Sequence, residues 1–84
     1  MTDSIRNLIE RIPDGYSEGH FQGRRYGISK TIFNNGRSVK IFAEELGGSE
    51  FISLNFYQTA KEDLLKPCEM PAEKVVRFLR GVEV

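Results

Sequence analysis

The chain has 84 residues, of which 39% are hydrophobic and 29% charged, and its twelve basic and twelve acidic side chains cancel. These values predict one small globular domain over residues 1–84. A chain of this length buries only about 60 to 65% of its unfolded surface, so a dimer would supply burial that the monomer lacks. The single cysteine excludes an internal disulfide and favours a cytoplasmic location. The longest apolar run, Ile41-Phe42-Ala43, is far too short to span a membrane.

The amino-terminal segment predicts an amphipathic helix. Its N-cap residue types are Thr2, Asp3 and Ser4, and its apolar residues follow at helical spacing as Ile5, Leu8, Ile9 and Ile12. The turn residues Pro13-Asp14-Gly15 end it. We interpret the next stretch, YSEGHFQG, as a loop because it is rich in glycine and polar residues.

From Arg24 the apolar residues alternate, which predicts antiparallel strands. Asn35-Gly36 is a strong hairpin signal, and centring the turn there places Ile32 opposite Val39 and Ile28 opposite Ala43.

Centring the next turn on Gly48-Ser49 places Ala43 opposite Leu54 and Ile41 opposite Phe56. Lys30 and Glu45 fall on the apolar face of these strands. We expect both to lie near a sheet edge, where their stems carry the charges out to water.

The third strand covers Phe51 to Tyr57, and Leu64-Leu65-Lys66 is either a short fourth strand at the sheet edge or part of a helical turn. Pro71 then begins a last helix with an apolar stripe of Val75, Leu79 and Val82. The predicted fold is therefore α+β, with an N-terminal helix, an antiparallel β-meander of three or four strands and a C-terminal helix.

Few residues are suited to catalysis or metal binding. With one histidine and one cysteine, the usual zinc ligand sets cannot be assembled, and we expect neither an enzyme nor a cofactor. A Cys68–His20 pair would allow a thiol-dependent activity, which remains a third hypothesis. A small side chain packed at the junction of sheet and helix explains Cys68 better.

The second face of the predicted sheet is aromatic and basic. In the register above, Phe42 has Ser29 on one side and Asn55 on the other, while Lys40 lies beside Tyr57. Three interpretations compete: a helix covers this face, a second copy of the chain covers it in a homodimer, or it is a stacking platform for single-stranded nucleic acid.

Local charge favours the third interpretation. Between Glu18 and Glu44 the chain carries no acid and five basic residues, Arg24, Arg25, Lys30, Arg37 and Lys40. The first hypothesis is a cytoplasmic module that binds single-stranded nucleic acid, and the alternative is a homodimeric interaction or structural protein. The candidate contact residues are Arg25, Arg37, Lys40, Phe42, Asn55 and Tyr57.

Two family resemblances can be stated. The runs GRSVKIFAEELGGSEFISLNFY and LLKPCEMPAEKV resemble a group of short uncharacterised bacterial proteins, which implies no function. The layout of RRYGISKTIFNNGRSVKIFAEEL followed by LLKPCEMPAEKVVRFL is similar to the positive-cofactor-four type of transcriptional coactivator. That resemblance implies a four-stranded sheet that binds single-stranded DNA through Arg25, Lys40, Phe42 and Tyr57. It also implies a dimer contact that contains the segment from Val75 to Leu79.

Overall fold

A computed structural model describes residues 4–84, with both helices packed on one antiparallel sheet. In chain order the elements are α1 (Ile5–Glu10), β1 (Gly15–Phe21), β2 (Arg24–Phe33), β3 (Ser38–Glu45), β4 (Phe51–Gln58), β5 (Asp63–Pro67) and α2 (Ala72–Gly81). The strands lie in sequence order, so β1 and β5 form the two edges. The predicted α+β class is confirmed, but the meander has five strands rather than three or four.

The additional strand is β1, and the prediction of a loop over YSEGHFQG was wrong. Gln22 and Gly23 both have positive φ, at 53° and 77°, and form the tight turn that pairs β1 with β2. A Gln-Gly pair therefore takes the place of the more familiar Asn-Gly. The outer edge of β1 gains a bridge in which the amide N–H groups of His20 and Glu83 donate to each other's carbonyl oxygens, both at 2.8 Å.

The second hairpin has the predicted register, whereas the third is displaced by two residues. Asn35 and Gly36 adopt positive φ, and Ile28 pairs with Ala43 as expected. On the next strand Ala43 pairs with Ile52 instead of Leu54, because the turn centres on Gly47-Gly48 and not on Gly48-Ser49. A shift of two residues leaves every side chain on its predicted face.

Both helices cover the same face of the sheet, which we call the helix face. Ser4 caps α1 by accepting a hydrogen bond from the Asn7 amide, while Thr2 and Asp3 lie outside the described residues. Pro71 is the N-cap of α2. The largest side chains that are almost fully buried are Phe56, Phe78, Ile12, Ile28, Ile41, Leu54, Leu79, Val75 and Val82. Val75 and Leu79, which the coactivator resemblance places in a dimer contact, therefore belong to the core of this chain.

Contrary to the expectation from the sequence, the ammonium group of Lys30 does not reach water. The residue lies at the centre of the helix face and is 7% exposed, and its Nζ donates to the carbonyl oxygens of Ile9 at 2.9 Å and Ile12 at 2.8 Å. The carboxylate oxygen Oδ1 of Asp14 lies 3.4 Å from the same Nζ and forms an ion pair with it. The ammonium group thus caps the carboxyl end of α1, where the carbonyls have no helical partner.

The carboxylate of Glu45 also forms hydrogen bonds with protein groups instead of extending into solvent. It accepts hydrogen bonds from the guanidinium of Arg24 and from the amide of Glu50, and the side chain is 7% exposed.

The segment at Leu64-Leu65-Lys66 forms edge strand β5, not a helical turn, and pairs with β4. Neither of the helices that the structure describes is long and apolar enough to cross a membrane.

Candidate nucleic-acid interface

The face of the sheet opposite the helices has no cover within residues 4–84, and we call it the open face. Phe42, at 38% exposed, lies near its centre beside the exposed rings of Tyr16 and Phe51, and the exposed Phe33 lies farther along the same face. The interpretation in which a helix of this chain covers Phe42 was therefore wrong. Because both helices pack on the opposite side, the alternating residues of every strand leave their side chains on this surface.

A row of aromatic and small residues crosses the open face. Successive strand pairings align Tyr16, Ser29, Phe42 and Ser53. Phe42 thus has serine on both sides, not Asn55 on one side as the predicted register had it. The Phe51 ring stacks on that of Phe42 at a centroid distance of 6.1 Å and an interplanar angle of 30°. Small neighbours on both flanks leave the Phe42 ring accessible from above the sheet.

The next row carries two lysines. The pairings align Thr31, Lys40, Asn55 and Lys66, a set that we call the lysine row. Lys40 therefore neighbours Asn55 and not Tyr57, a consequence of the two-residue shift. Both lysines are exposed, and neither forms an ion pair within residues 4–84. Their charges are available to a ligand on this face.

Lys66 was missed as a candidate because its strand was uncertain. Along β5 the side chain of Leu65 points to one face and those of Leu64 and Lys66 to the other. Which of these is the open face becomes known only from the pairing of β5 with β4.

One end of the open face is concave. Tyr57 pairs with Ser38, which pairs in turn with Phe33, so two aromatic residues flank a serine in the row beyond the lysine row. Arg37, in the turn before β3, lines a hollow of about 490 Å³ together with Tyr57. Arg37 and Tyr57 thus line the same small space, which is large enough for a nucleotide base.

Arg25 lies apart from the other candidates. It is six residues along β2 from Thr31, which places it about 20 Å from the lysine row. Its guanidinium donates to the carboxylate of Glu18, and this hydrogen bond raises the pKa of Arg25. Glu44 also lies toward this end of the face. The open face therefore has an acidic end and a basic end, and Arg25 belongs to the acidic one.

Cys68 and His20 are not brought together. His20 lies on edge strand β1, while Cys68 follows the opposite edge strand, where its amide donates to the Ser53 carbonyl at 3.0 Å. The Asn55 side-chain amide donates to Cys68 Sγ at 3.5 Å, so the half-buried thiol lies beside the lysine row. A Cys–His pair within one chain is excluded by this separation. Among residues 4–84 no three histidine, cysteine or acidic side chains are grouped as metal ligands.

Comparisons of the chain with protein-family models, with curated proteins and with solved structures find no match. The functional argument therefore depends on the geometry of the open face.

Proposed function

We propose that this protein is a non-enzymatic module that binds single-stranded nucleic acid on its open face. The observation that carries the proposal is the lysine row, which lies between Phe42 on one side and Tyr57 on the other on a surface that the helices leave uncovered. Sequence-tolerant platforms for single strands combine aromatic rings, on which bases stack, with cations that hold the phosphates.

Each part of this arrangement has a distinct role. A base stacks on the accessible ring of Phe42, and a second base enters the hollow beside Tyr57. Phosphates contact Lys40, Lys66 and Arg37. The side-chain amide of Asn55 both donates and accepts hydrogen bonds, so it can pair with a base edge between the two ammonium groups. Adjacent rows are about 7 Å apart, since two residues separate them along each strand.

The charge pattern determines the path that the bound nucleic acid takes across the sheet. At one end of the open face Glu18 and Arg25 neutralise each other, whereas Glu44 forms no ion pair within residues 4–84 and remains as a negative charge that repels phosphates. The nucleic acid therefore follows the lysine row across the β-strands. With only three cations in contact, affinity is modest, and the logarithm of the binding constant should fall with the logarithm of salt concentration with a slope of about −2.

Fluorescence anisotropy with a labelled oligothymidine of roughly ten nucleotides, at low salt, tests the proposal. We expect Phe42→Ala to weaken binding about tenfold, because one base loses its stacking partner. Lys40→Gln should weaken binding and make the salt slope shallower by about 0.7. Arg25→Gln removes the same type of charge at the acidic end and is the matched control, with affinity unchanged.

Three results would contradict the proposal: no binding at tens of micromolar protein, binding that is insensitive to salt, or equal losses in Lys40→Gln and Arg25→Gln. The reactivity of Cys68 reports where the oligonucleotide binds, because Cys68 is the single cysteine and lies beside Asn55. Saturation with the oligonucleotide should slow its reaction with a thiol reagent.

A homodimer through the open face would use the same aromatic residues, and sedimentation distinguishes it. If the wild type is a dimer and Phe42→Glu is a folded monomer, the open face is an interface between copies of this chain and the nucleic-acid proposal is wrong. If both proteins sediment as monomers, the open face remains available to a ligand.

A further inference from the structure

A second cavity lies on the helix side of the sheet, away from the open face. It is a cleft of about 590 Å³ between the first half of α2 and the ends of β2 and β4 beside the β1–β2 turn. Phe21, Tyr26 and Ile52 give it an apolar floor, and charged side chains from α2 and the adjoining loops surround its opening. Cavities of this size accommodate small molecules.

The floor is rigid because its aromatic residues pack on one another. The Tyr26 ring meets Phe78 edge to face, with centroids 5.2 Å apart, and Phe21 at 6.1 Å. Gly81 makes this packing possible, since a Cβ at that position would lie 2.8 Å from the Phe21 ring. The apolar surface of the cleft is therefore formed before any ligand arrives.

The hydroxyl of Tyr26 retains access to solvent. Tyr26 is only 5% exposed and lines the cleft, and its hydroxyl forms no hydrogen bond within residues 4–84, but it is not a buried unpaired atom, since Ser17 Oγ is the one such side-chain atom among those residues. A tyrosine hydroxyl in this position takes water or a ligand as its partner. Burial raises the pKa of Tyr26, so the hydroxyl stays protonated and can donate. A donor at the base of an open cleft is suited to a polar atom of a ligand.

The charges around the opening are balanced in sign. Arg24 is paired with Glu45, and Lys74 lies 3.8 Å from Glu50. Arg77 and Glu73 also line the cleft, four residues apart on α2, and neither forms an ion pair within residues 4–84. Pro71 provides no side-chain cap, so the first amide groups of α2 are additional donors. One free cation and one free anion beside an apolar floor do not suit a polyanion.

We propose that this cleft binds a zwitterionic amino acid with an apolar side chain. The side chain packs on Phe21, Tyr26 and Ile52. The carboxylate contacts Arg77 and accepts from the Tyr26 hydroxyl, and the ammonium group contacts Glu73. A ligand of about twelve non-hydrogen atoms on such a site binds with a dissociation constant in the millimolar range. The site is independent of the open face.

Amide chemical-shift titration of the labelled protein with L-phenylalanine tests this proposal. We expect the amides of Gln22 and Glu73 to shift and to saturate below about 20 mM. Phenylacetate, which lacks the ammonium group, and phenethylamine, which lacks the carboxylate, should each bind at least about fivefold more weakly, since each leaves one charge of the cleft without a partner.

Two exposed substitutions identify the groups responsible. Arg77→Gln should reduce the preference for phenylalanine over phenethylamine to what the Tyr26 hydroxyl alone provides, and Glu73→Gln should abolish the preference over phenylacetate. Tyr26→Phe, which changes no packing atom of the ring, should weaken phenylalanine about threefold to tenfold. Lys40→Gln is the control and should change nothing. The proposal is wrong if phenylalanine causes no shifts near the cleft, if the three ligands bind equally, or if Arg77→Gln leaves all affinities unchanged.

Discussion

The two faces of the sheet use the same strands for different purposes. Phe56 and Phe42 lie on neighbouring strands and are chemically identical, yet Phe56 is 1% exposed on the helix face and Phe42 is 38% exposed on the open face. Lys30 and Lys40 differ in the same way, one capping a helix and the other facing water. Side-chain alternation therefore separates the residues that hold the fold together from those that are free to contact a ligand.

The two phenylalanines provide the sharpest test of that separation. We expect Phe56→Ala to lower the free energy of unfolding by about 3 to 5 kcal/mol, because it leaves a cavity in a small core. Phe42→Ala should lower it by at most about 1 kcal/mol, since Phe42 is already 38% exposed and its loss leaves no enclosed cavity, while the aromatic contact with Phe51 is removed. Urea denaturation of both variants measures the difference. Similar losses would show that the open face is buried in solution, as in a dimer.

The two lysines give the next largest contrast. Lys30→Met keeps most of the apolar stem but removes the donor to the carbonyls of Ile9 and Ile12. Two carbonyl groups at the end of α1 then lose a charged partner, so we expect a loss of about 2 to 3 kcal/mol. Lys40→Met on the open face should stay within about 0.5 kcal/mol of the wild type. A stable Lys30→Met variant would mean that water can replace the ammonium group.

How far the sequence predicts this fold depends on local signals. Asn35-Gly36 has one favoured turn geometry, so it determined the register of the second hairpin. The segment GGSE has two glycines and allows more than one centre, and the predicted register there differed by two residues. Strand β1 was missed because the stretch YSEGHFQG is rich in glycine and polar residues, which are unusual in strands. Gly19 is needed there by the close approach of the Glu83 carbonyl, 2.9 Å from where a Cβ would lie.

The candidate site was predicted in part for the same reason. Side-chain alternation placed Lys40, Phe42, Asn55 and Tyr57 on one face, which the pairings confirm. Arg25 has the right charge and the right face, but its pairing with Glu18 depends on the position of β1, which the sequence analysis missed. Long-range pairings such as the contact of Lys30 with α1 have no local signature, so composition alone could not reveal them.

A smaller test concerns Ser17 Oγ on the helix face of β1, the only buried side-chain nitrogen or oxygen among residues 4–84 that has no hydrogen-bond partner. Ser17→Ala removes a hydroxyl that has lost water without gaining a hydrogen bond, so we expect stability to rise by about 1 kcal/mol. Ser29→Ala, in an exposed position of the open face, should change stability by less than about 0.5 kcal/mol. Thermal unfolding of both variants compares them. A destabilised Ser17→Ala variant would indicate an ordered water molecule at the hydroxyl.

The smallest expected effect is the pH dependence at the end of β3, where Glu45 has a helix-face position and Glu44 an open-face one. The hydrogen bond from Arg24 is the main reason why the pKa of Glu45 is lowered. The folded state therefore favours the carboxylate, and the contribution of this pair to stability is fully present above the pKa of Glu45 in the unfolded chain. It is lost as the pH falls through the lower pKa of the folded state. Arg24→Gln should consequently reduce stability at neutral pH, and its urea midpoint should converge on that of the wild type in acid.

Glu44→Gln serves as the control, because Glu44 forms no ion pair within the described part of the chain. Parallel pH profiles of wild type and Arg24→Gln would show that the Arg24–Glu45 pair does not form in solution.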